Sequence, residues 1–360
     1  MPHPLQIGID ARAATEVPAG RGRVVRELLR ALAARDEQHT YHCYCRTRWE
    51  EPLDARFQWH EIQAGEPWWH LAAARAARQC DVYLASNSYL TPLFLRRPSV
   101  AIVYDLVTFD PAMRPNRRSV VIERLTLGAC MRRVAAVIAI SQATADSLIE
   151  RYPAVAGRTT VALLGTSPAL DEPLSGEQLP EPGFVLAVGT LEPRKNLPRL
   201  VSAYSRLDAE TQALHPLVVV GALGWETGET LRALDSLGDR ALAMGHVSDA
   251  ALAELYRRCA VFCYPSLGEG FGLPVLEAMA AGAPVLTARN SSLPEVGGEA
   301  VEYADARDVE SIATGLRRLL ATPARREELS VLARARAATF SWEGFAAGTL
   351  GVLEAAAQRR

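Results

Sequence analysis

Two glutamates separated by seven residues, Glu269 and Glu277, lie in the stretch of sequence whose residue types point most directly to chemistry, YPSLGEGFGLPVLEAMAAGAP. A short apolar run, AVFCY, leads into this stretch and has the length and composition of a buried parallel strand. Pro274 suits the first turn of a helix, which Gly282 can end about two turns later. The pattern predicts a strand, a glycine-rich loop and a helix start, with one carboxylate in the loop and the other about one turn into the helix.

This arrangement can bind an anion beside a polyol. Glycines at positions 268, 270 and 272 let the backbone approach a ligand, and the free N–H groups and dipole of a helix start attract an anion. A carboxylate accepts hydrogen bonds from vicinal hydroxyls, such as those of a ribose or a hexose. The stretch therefore favours a phosphate ester of a polyhydroxylated molecule, although an ordinary glycine turn and a solvated glutamate pair would give the same residues.

A second group of residues, GTLEPRKN, ends the first predicted strand of the second half of the chain and contains Arg194 and Lys195. Lys195 is the only lysine of the chain, in which the other basic side chains are arginine. A compact ammonium differs physically from a planar guanidinium, so this exception at a strand end favours a specific contact over a surface charge. Two adjacent cations are suited to a diphosphate leaving group.

Two loops in the first half of the chain are further candidates. Gly20 and Gly22 lie between the first predicted strand and helix, where they could form a structural turn or approach a ligand; the loop is too long for the tight dinucleotide-binding fingerprint. Tyr104 and Asp105 end the strand SVAIVYDL, where they could either face a site or cap the following turn.

The composition is that of a soluble globular protein: 360 residues, 49% apolar and 22% charged, a length that favours two domains. No apolar run approaches the ~20 residues of a membrane span, and the start MPHPLQIGID lacks the pattern of a secretion signal, so we expect a cytoplasmic protein. Six cysteines without CxxC spacing predict reduced core residues and no metal site.

The net charge of −2 conceals an asymmetry, because residues up to Pro168 carry +5 and the remainder carries −7. A basic first half suits an anionic acceptor or peripheral association with a membrane surface. Arginines scattered among several solvated elements would give the same balance.

The order of apolar runs predicts an α/β protein with two doubly wound domains. The first set of strands is LQIGID, TYHCYC, DVYLAS, SVAIVYDL and AAVIAIS, and the second is FVLAVGT, LVVVGA, ALAMGHV, AVFCYPS and PVLTA, with helical patterns between them. The proline-rich and acidic stretch from 167 to 184 is the best linker. We expect domains at 1–168 and 169–340 that face each other across a cleft, with a terminal helix at 341–360 that either packs back on the first domain or is an ordinary terminal helix.

Several of these stretches together resemble the retaining family-4 glycosyltransferases of the GT-B fold. The likeness lies in GTLEPRKNLPRLVSAY, in GHVSDAALAELYRRC, and in YPSLGEGFGLPVLEAMAAGAPVLTARNSSLPEV with its E-x7-E motif. GRGRVVRELLRAL and ISQATADSL resemble the family's first helix and the segment after its last N-terminal strand, so the likeness spans nearly the whole chain.

The resemblance implies a nucleotide-diphosphate sugar donor bound mainly by the second domain and a saccharide or lipid-linked acceptor bound mainly by the first. It assigns Arg194 and Lys195 to the diphosphate, Glu277 to the ribose and Glu269 to the sugar. We expect no cofactor, no metal and no nucleic acid. The other candidates for binding the donor are Gly20, Gly22, Gly189, His246, Val247, Gly270, Phe271, Gly272 and Leu273. Tyr104 and Asp105 are catalytic candidates, as are Glu269, Arg194 and Lys195. Tyr104 stands where many members of the family have a histidine that contacts the donor sugar.

The expected reaction is transfer of a hexose with retention, in which the cationic pair and a helix start stabilise the departing diphosphate. Within the family, the sequence most resembles bacterial mannosyl- and rhamnosyltransferases of surface polysaccharide synthesis. This resemblance favours GDP-mannose or a related GDP-sugar over a UDP donor. A GT-B epimerase or phosphorylase remains an alternative. A nicotinamide dehydrogenase would need a tight glycine fingerprint, and a two-lobed solute-binding protein would need a secretion signal.

Overall fold

The computed structural model describes residues 3–18, 20–35, 39–106, 109, 117–166, 176–224 and 227–359. The chain forms two compact units, one of Met1–Gly165 with Ser341–Arg360 and the other of Thr166–Phe340. The domain boundary predicted between residues 168 and 169, and the first part of the predicted linker, lie outside the described residues.

The first unit is built on a seven-stranded parallel sheet. Its strands, in chain order, are β1 (Gln6–Asp10), β2 (Thr40–Cys45), β3 (Phe57–Glu61), β4 (Val82–Ala85), β5 (Ser99–Val103), β6 (Ala136–Ala139) and β7 (Thr159–Val161). The spatial order is β3-β2-β1-β4-β5-β6-β7. The inner strands β4, β5 and β6 are buried at every residue, as expected when helices cover both faces of a parallel sheet.

The helices of this unit, among the residues that the structure describes, are α1 (Ala13–Glu16), α2 (Arg21–Ala34), α3 (Trp68–Ala76), α4 (Thr91–Phe94), α5 (Arg117–Arg133) and α6 (Gln142–Arg151). In α2 the apolar residues recur at helical spacing, and Val25, Leu28 and Leu32 are fully buried, which confirms the predicted first helix. Ser141 begins α6, because its hydroxyl accepts a hydrogen bond from the backbone N–H of Thr144.

The second unit has a six-stranded parallel sheet. Its strands are β8 (Val185–Val188), β9 (Leu217–Val220), β10 (Ala241–Gly245), β11 (Val261–Tyr264), β12 (Val285–Ala288) and β13 (Glu302–Ala304), in the spatial order β10-β9-β8-β11-β12-β13. Its helices are α7 (Leu197–Tyr204), α8 (Ala209–Leu214), α9 (Gly228–Asp235), α10 (Asp249–Arg258), α11 (Leu273–Ala281), α12 (Leu293–Gly297), α13 (Val309–Ala321) and α14 (Pro323–Ala337).

The terminal helix, α15 (Trp342–Gln358), belongs to the first unit, where it packs against α2 and against β4, β5 and β6. Ser341 begins it by accepting a hydrogen bond from the backbone N–H of Gly344. At Gly165 a Cβ atom would lie 2.3 Å from the backbone nitrogen of Trp342, so only glycine lets the chain approach so closely. The helix therefore completes the hydrophobic core of the first unit.

All six cysteines are buried and unpaired, as the sequence predicts. Within the described ranges, no helix combines the length and the hydropathy needed to cross a bilayer.

Candidate functional site

The two sequence stretches that carry the candidate chemistry meet at one point of the second sheet. The strands β8 and β11 are hydrogen-bonded neighbours, and the strand order reverses between them, since β9 and β10 lie on one side and β12 and β13 on the other. Ligands of doubly wound sheets bind in the crevice outside the carboxyl ends of strands at such a reversal. The loop after β8 carries Arg194 and Lys195, and the loop after β11 carries Glu269.

A short 3-10 turn, Pro193–Lys195, presents the two cations. It ends at Asn196, whose backbone lies in the left-handed region with a φ of 61°, a conformation that asparagine tolerates better than most residues. The buried Asn196 amide donates hydrogen bonds to the carbonyls of Pro265 at 2.9 Å and Ala306 at 2.6 Å. Asn196 therefore fixes the cationic turn to the loop after β11, a role that the sequence interpretation missed.

Glu269 is the centre of an ion-pair network. Its Oε1 atom lies 2.7 Å from Nζ of Lys195, and its Oε2 atom pairs with Nη1 of Arg194. The hydroxyls of Tyr264, at 2.7 Å, and Ser266, at 2.6 Å, both donate to Oε1. The Glu269 side chain is only 7% exposed, so the structure places this carboxylate against both cations.

A second carboxylate completes the charge balance of the network. Glu192, also 7% exposed, accepts hydrogen bonds from Nε of Arg194 at 2.9 Å and from Nη2 at 2.7 Å. Two cations and two carboxylates leave the cluster formally neutral, which a buried group of charges requires.

The pKa values follow from this arrangement. Burial alone would raise the pKa of the Glu269 carboxyl, but the charges of Lys195 and Arg194, with hydrogen bonds from Lys195 and Ser266, lower it to about 2. Burial lowers the pKa of Lys195, and the attraction of Glu269 does not restore it because Arg194 repels the ammonium. The two cations therefore keep Glu269 ionised at neutral pH.

A small pocket, with a volume of about 10 Å³, lies beside this cluster and is lined by Gly189, Lys195, Tyr264, Pro265 and apolar residues of β8, β9, β11 and α7. Gly189 has a φ of 140°, and a Cβ atom there would lie 3.1 Å from Cε of Lys195. The absence of a side chain at Gly189 thus makes room for the lysine in the pocket wall.

The predicted helix after the glycine loop is α11, which Gly282 ends with a φ of 80°, as expected. It starts at Gly272, where a φ of 104° excludes most other residues. Among the described residues, none accepts a hydrogen bond from the backbone N–H groups of Phe271, Gly272 or Leu273. The Phe271 ring is buried and contacts Phe340 edge to face. An anion bound at this loop would therefore contact the backbone N–H of Phe271 and not its ring.

Glu277 lies in α11, is 8% exposed, and accepts a hydrogen bond from the hydroxyl of Tyr256 at 3.3 Å. The other two donor-binding candidates, the exposed His246 and the half-buried Val247, follow the edge strand β10. Their assignment to the base stays a prediction.

The four candidates of the first unit lie after β1 and β5. At Gly22 a Cβ atom would lie 1.7 Å from the carbonyl oxygen of Val17, so this glycine allows α2 to pack on the backbone that precedes it, whereas Gly20 has open space around it. Tyr104 is buried, and its hydroxyl donates to the carbonyl of Ser86 at 2.7 Å. Asp105 is half-buried.

In the part of the chain that the structure describes, no three His, Cys, Asp or Glu side chains lie close enough together to hold a metal ion. Independence of a metal stays a prediction.

Comparisons with known proteins identify the family to which the chain belongs. The family model described as Glycosyl transferases group 1 matches residues 175–336, and that described as Glycosyltransferase Family 4 matches residues 18–170. O-antigen chain mannosyltransferase B of Escherichia coli is 34% identical over 281 residues, which span 75% of this chain and 73% of that protein.

Solved structures agree on the fold. Sucrose-phosphate synthase from Thermosynechococcus elongatus superposes with a TM-score of 0.77 at 21% identity, covering 96% of this chain and 97% of that one. Anabaena Alr3699/HepE in complex with UDP and glucose superposes with a TM-score of 0.76 at 17% identity, covering 97% of this chain and 99% of that one. The chain belongs to glycosyltransferase family 4, and it is a glycosyltransferase of the GT-B fold.

Proposed function

We propose that this cytoplasmic enzyme transfers a hexose, with retention, from GDP-mannose or a related GDP-sugar to a saccharide or lipid-linked saccharide acceptor in the synthesis of a surface polysaccharide such as lipopolysaccharide. The observation that carries the proposal is the pairing of Arg194 and Lys195 on Glu269 beside a pocket at the reversal point of the second sheet. The similarity to the Escherichia coli O-antigen mannosyltransferase supports mannose and the polysaccharide.

In this proposal the cationic pair stabilises the leaving group. The cluster around Glu269 is formally neutral without a ligand, so a diphosphate brings uncompensated negative charge to it. Arg194 and Lys195 can turn part of their hydrogen-bonding capacity to the diphosphate, while the free N–H groups before α11 provide a second anion contact. These groups are fixed before the reaction, which is the condition for strong stabilisation of the charge that develops on the departing oxygen.

Retention follows if the acceptor attacks from the face that the diphosphate leaves. The bond between the anomeric carbon and the phosphate oxygen breaks, the acceptor oxygen bonds to the same face, and the acceptor proton passes to the phosphate oxygen. Glu269 is held at about pKa 2 by two cations, so it is a poor base for that proton. Its proposed part is to position the cations and the hexose.

The direct experiment is transfer from GDP-mannose to a mannose-containing acceptor, with the anomeric configuration of the product read by NMR. An α-linked product from the α-linked donor supports retention, and a β-linked product contradicts it. Turnover that needs no acceptor would indicate an epimerase, and use of a sugar phosphate as donor would indicate a phosphorylase.

A second candidate is a UDP-sugar donor. The observation that favours it is the likeness to the Anabaena structure, which contains UDP and glucose. The same assay with UDP-glucose in place of GDP-mannose decides between the two nucleotides.

We propose further that the enzyme associates peripherally with an anionic membrane surface. Helix α5 exposes Val121, Ile122 and Leu125, which share one face at helical spacing, and its last turn carries Arg132 and Arg133. Exposed apolar side chains on a helix that also carries arginines suit an anionic lipid surface.

A further inference from the structure

Tyr264 is the last residue of β11, the strand whose following loop carries Glu269. Its side chain is buried, and its ring stacks on that of Phe262 with 5.6 Å between the ring centroids. The hydroxyl of Thr287, on the neighbouring strand β12, donates to the carbonyl of Tyr264 at 2.9 Å. Contacts of both its ring and its backbone therefore fix the phenol in place.

The hydroxyl of Tyr264 contacts both partners of the central ion pair. It lies 2.5 Å from Nζ of Lys195 and 2.7 Å from Oε1 of Glu269, and those two charged atoms lie 2.7 Å from each other. The ammonium also lies 4.9 Å from the centroid of the tyrosine ring. The three polar atoms thus form a closed triangle in which the hydroxyl is the one neutral member.

The direction of each hydrogen bond in this triangle follows from the donors available. An ammonium only donates, so the hydroxyl of Tyr264 accepts from Lys195 and gives its single hydrogen to Glu269. The phenol keeps that hydrogen, because burial and the charge of Glu269 raise the pKa of Tyr264 well above its ordinary value. Two of the three ammonium hydrogens are then engaged, and among the described residues Nζ of Lys195 has no third acceptor. One N–H of the lysine therefore stays available to a ligand.

We propose that Tyr264 is a positioning residue for the transfer reaction, which acts by holding the ammonium of Lys195 and the carboxylate of Glu269 in one arrangement. Its hydroxyl accepts one N–H of the lysine and donates to the carboxylate, so that the remaining N–H can bond to the departing diphosphate. A phenylalanine at this position would keep the ring and lose both bonds. The identity of the anion rests on the proposed function, whereas the coupling of Tyr264 to Lys195 does not.

Ser266 offers a comparison that separates the two bonds of Tyr264. Its hydroxyl donates to the same oxygen of Glu269 at 2.6 Å, and its other contacts are the backbone carbonyls of Arg194 and Gly268. Removing the Ser266 hydroxyl therefore weakens the hold on the carboxylate without removing an acceptor from the ammonium.

The test is the titration of Lys195, which can be followed by itself because it is the only lysine of the chain. In the full chain containing isotope-labelled lysine, the NMR signals of Cε and Nζ report the charge of this one ammonium as the pH is raised. An acceptor favours the charged form of its donor, so Tyr264→Phe should raise the acid dissociation constant of Lys195 by about tenfold or more. The other charged groups that face the ammonium, Glu269, Arg194 and Glu192, are the same in the variant.

The matched control is Tyr204→Phe, which removes another buried tyrosine hydroxyl of the same unit, one that donates to backbone carbonyls. It should leave the titration of Lys195 unchanged, and Ser266→Ala should change it less than Tyr264→Phe does. The proposal is wrong if Tyr264→Phe titrates like the wild type, or if either of the other two variants has an equal effect.

The wild type gives a readout that does not require a variant to fold. The distances above predict nuclear Overhauser contacts between the side-chain protons of Lys195 and the ring protons of a tyrosine. Absence of these contacts would contradict the arrangement.

Kinetics add a readout that a merely structural role would not change. Tyr264→Phe should lower kcat roughly tenfold at neutral pH, with little change in donor KM, and should move the alkaline fall of kcat to lower pH. Tyr204→Phe should keep the wild-type profile. A wild-type kcat in Tyr264→Phe would overturn the positioning role. If the wild type consumes no GDP-mannose, the proposed function fails, and the titration of Lys195 still decides whether Tyr264 holds the ammonium.

Discussion

At the scale of single residues, the proposed chemistry depends on Glu269 and its two cations. The carboxylate, the ammonium and the guanidinium are all largely buried, so each charge depends on the others for its stability. Removing the charge of one of these side chains leaves the charges of its partners buried and unpaired. The effect of a substitution on catalysis must therefore be separated from its effect on the cluster itself.

Lys195→Met keeps the length of the side chain and removes its charge. Because the ammonium acts on charge that develops as the diphosphate leaves, we expect kcat and kcat/KM to fall together by roughly 10² or more. Steady-state kinetics with varied donor and acceptor measure this. Arg199→Met, which removes a neighbouring cation that bonds to Asn196, serves as the control and should change kcat far less. A change confined to the acceptor KM would contradict the assignment of Lys195.

The two glutamates should respond differently to the same substitution. Glu277→Gln should mainly raise the donor KM, because a ribose contact is made equally in the ground state and the transition state. Glu269→Gln should mainly lower kcat, since it both removes charge near the hexose and releases Arg194 and Lys195 from their shared partner. Nucleotide affinity by calorimetry and kcat for both variants give the comparison. If Glu269→Gln loses the nucleotide and Glu277→Gln loses only turnover, the roles are reversed.

The members of this site could be predicted from the sequence, but their pairing could not. Glu269 and Lys195 are 74 positions apart, and the sequence shows only that each follows a strand. Their contact depends on β8 and β11 being neighbours, which the order of strands along the chain does not state. Asn196, Tyr264 and Ser266 were missed for the same reason, because their importance lies in contacts across that pair of loops.

At the scale of elements, all ten predicted strands are confirmed, and the three that were missed lie at sheet edges. β3, β7 and β13 each have a neighbour on one side only, and β7 and β13 have only three residues. An edge strand is less buried than an inner one, so it needs no continuous apolar run. In the sequence FQWHE of β3, accordingly, only Phe57 is buried, and the other four positions are half-buried or exposed.

Helix α5 carries the prediction about membranes. Leu125→Glu and Ile122→Glu place a negative charge on side chains that are 69% and 60% exposed, so the fold should be retained. Because both the apolar contact and the attraction to anionic lipid are lost, binding to phosphatidylglycerol-containing vesicles should fall by at least about tenfold for the double variant. Vesicle sedimentation at low and high salt measures this.

The control for α5 is Val331→Glu in the second unit, where the side chain is 56% exposed and not part of that face. It should bind vesicles like the wild type. If the wild type, the double variant of α5 and Val331→Glu bound vesicles equally, or if the wild type did not bind them, α5 would be excluded as the membrane-facing element.

At the scale of the whole molecule, each of the two doubly wound units has a parallel sheet whose strand order reverses once, and the candidate residues Arg194, Lys195 and Glu269 lie at the reversal point of the second sheet. Alternating apolar runs predict this architecture, since only parallel strands with helical crossovers give that order. The resemblance to a family supplied the donor, the acceptor and the residue roles, which periodicity cannot give.

The proposed reaction needs no metal ion, which is a prediction about the whole enzyme. With Arg194 and Lys195 on the diphosphate, transfer should proceed at an unchanged rate in EDTA. The measurement is product formation from GDP-mannose with and without chelator, with Mn²⁺ added back. Loss of activity in EDTA and its recovery with Mn²⁺ would show that a divalent ion supplies the charge that we assign to the cationic pair.

The central claim is that the second unit binds a nucleoside diphosphate through the cationic pair on Glu269. Thermal unfolding of the full chain with GDP, UDP, dTDP or ADP tests it most directly, because a ligand at about 100 times its Kd stabilises the folded state by about 2.7 kcal/mol. We predict a rise in Tm with GDP that exceeds the rise with the other nucleotides and is lost in Lys195→Met. No shift with any nucleotide, or a shift that Lys195→Met retains in full, would contradict the account.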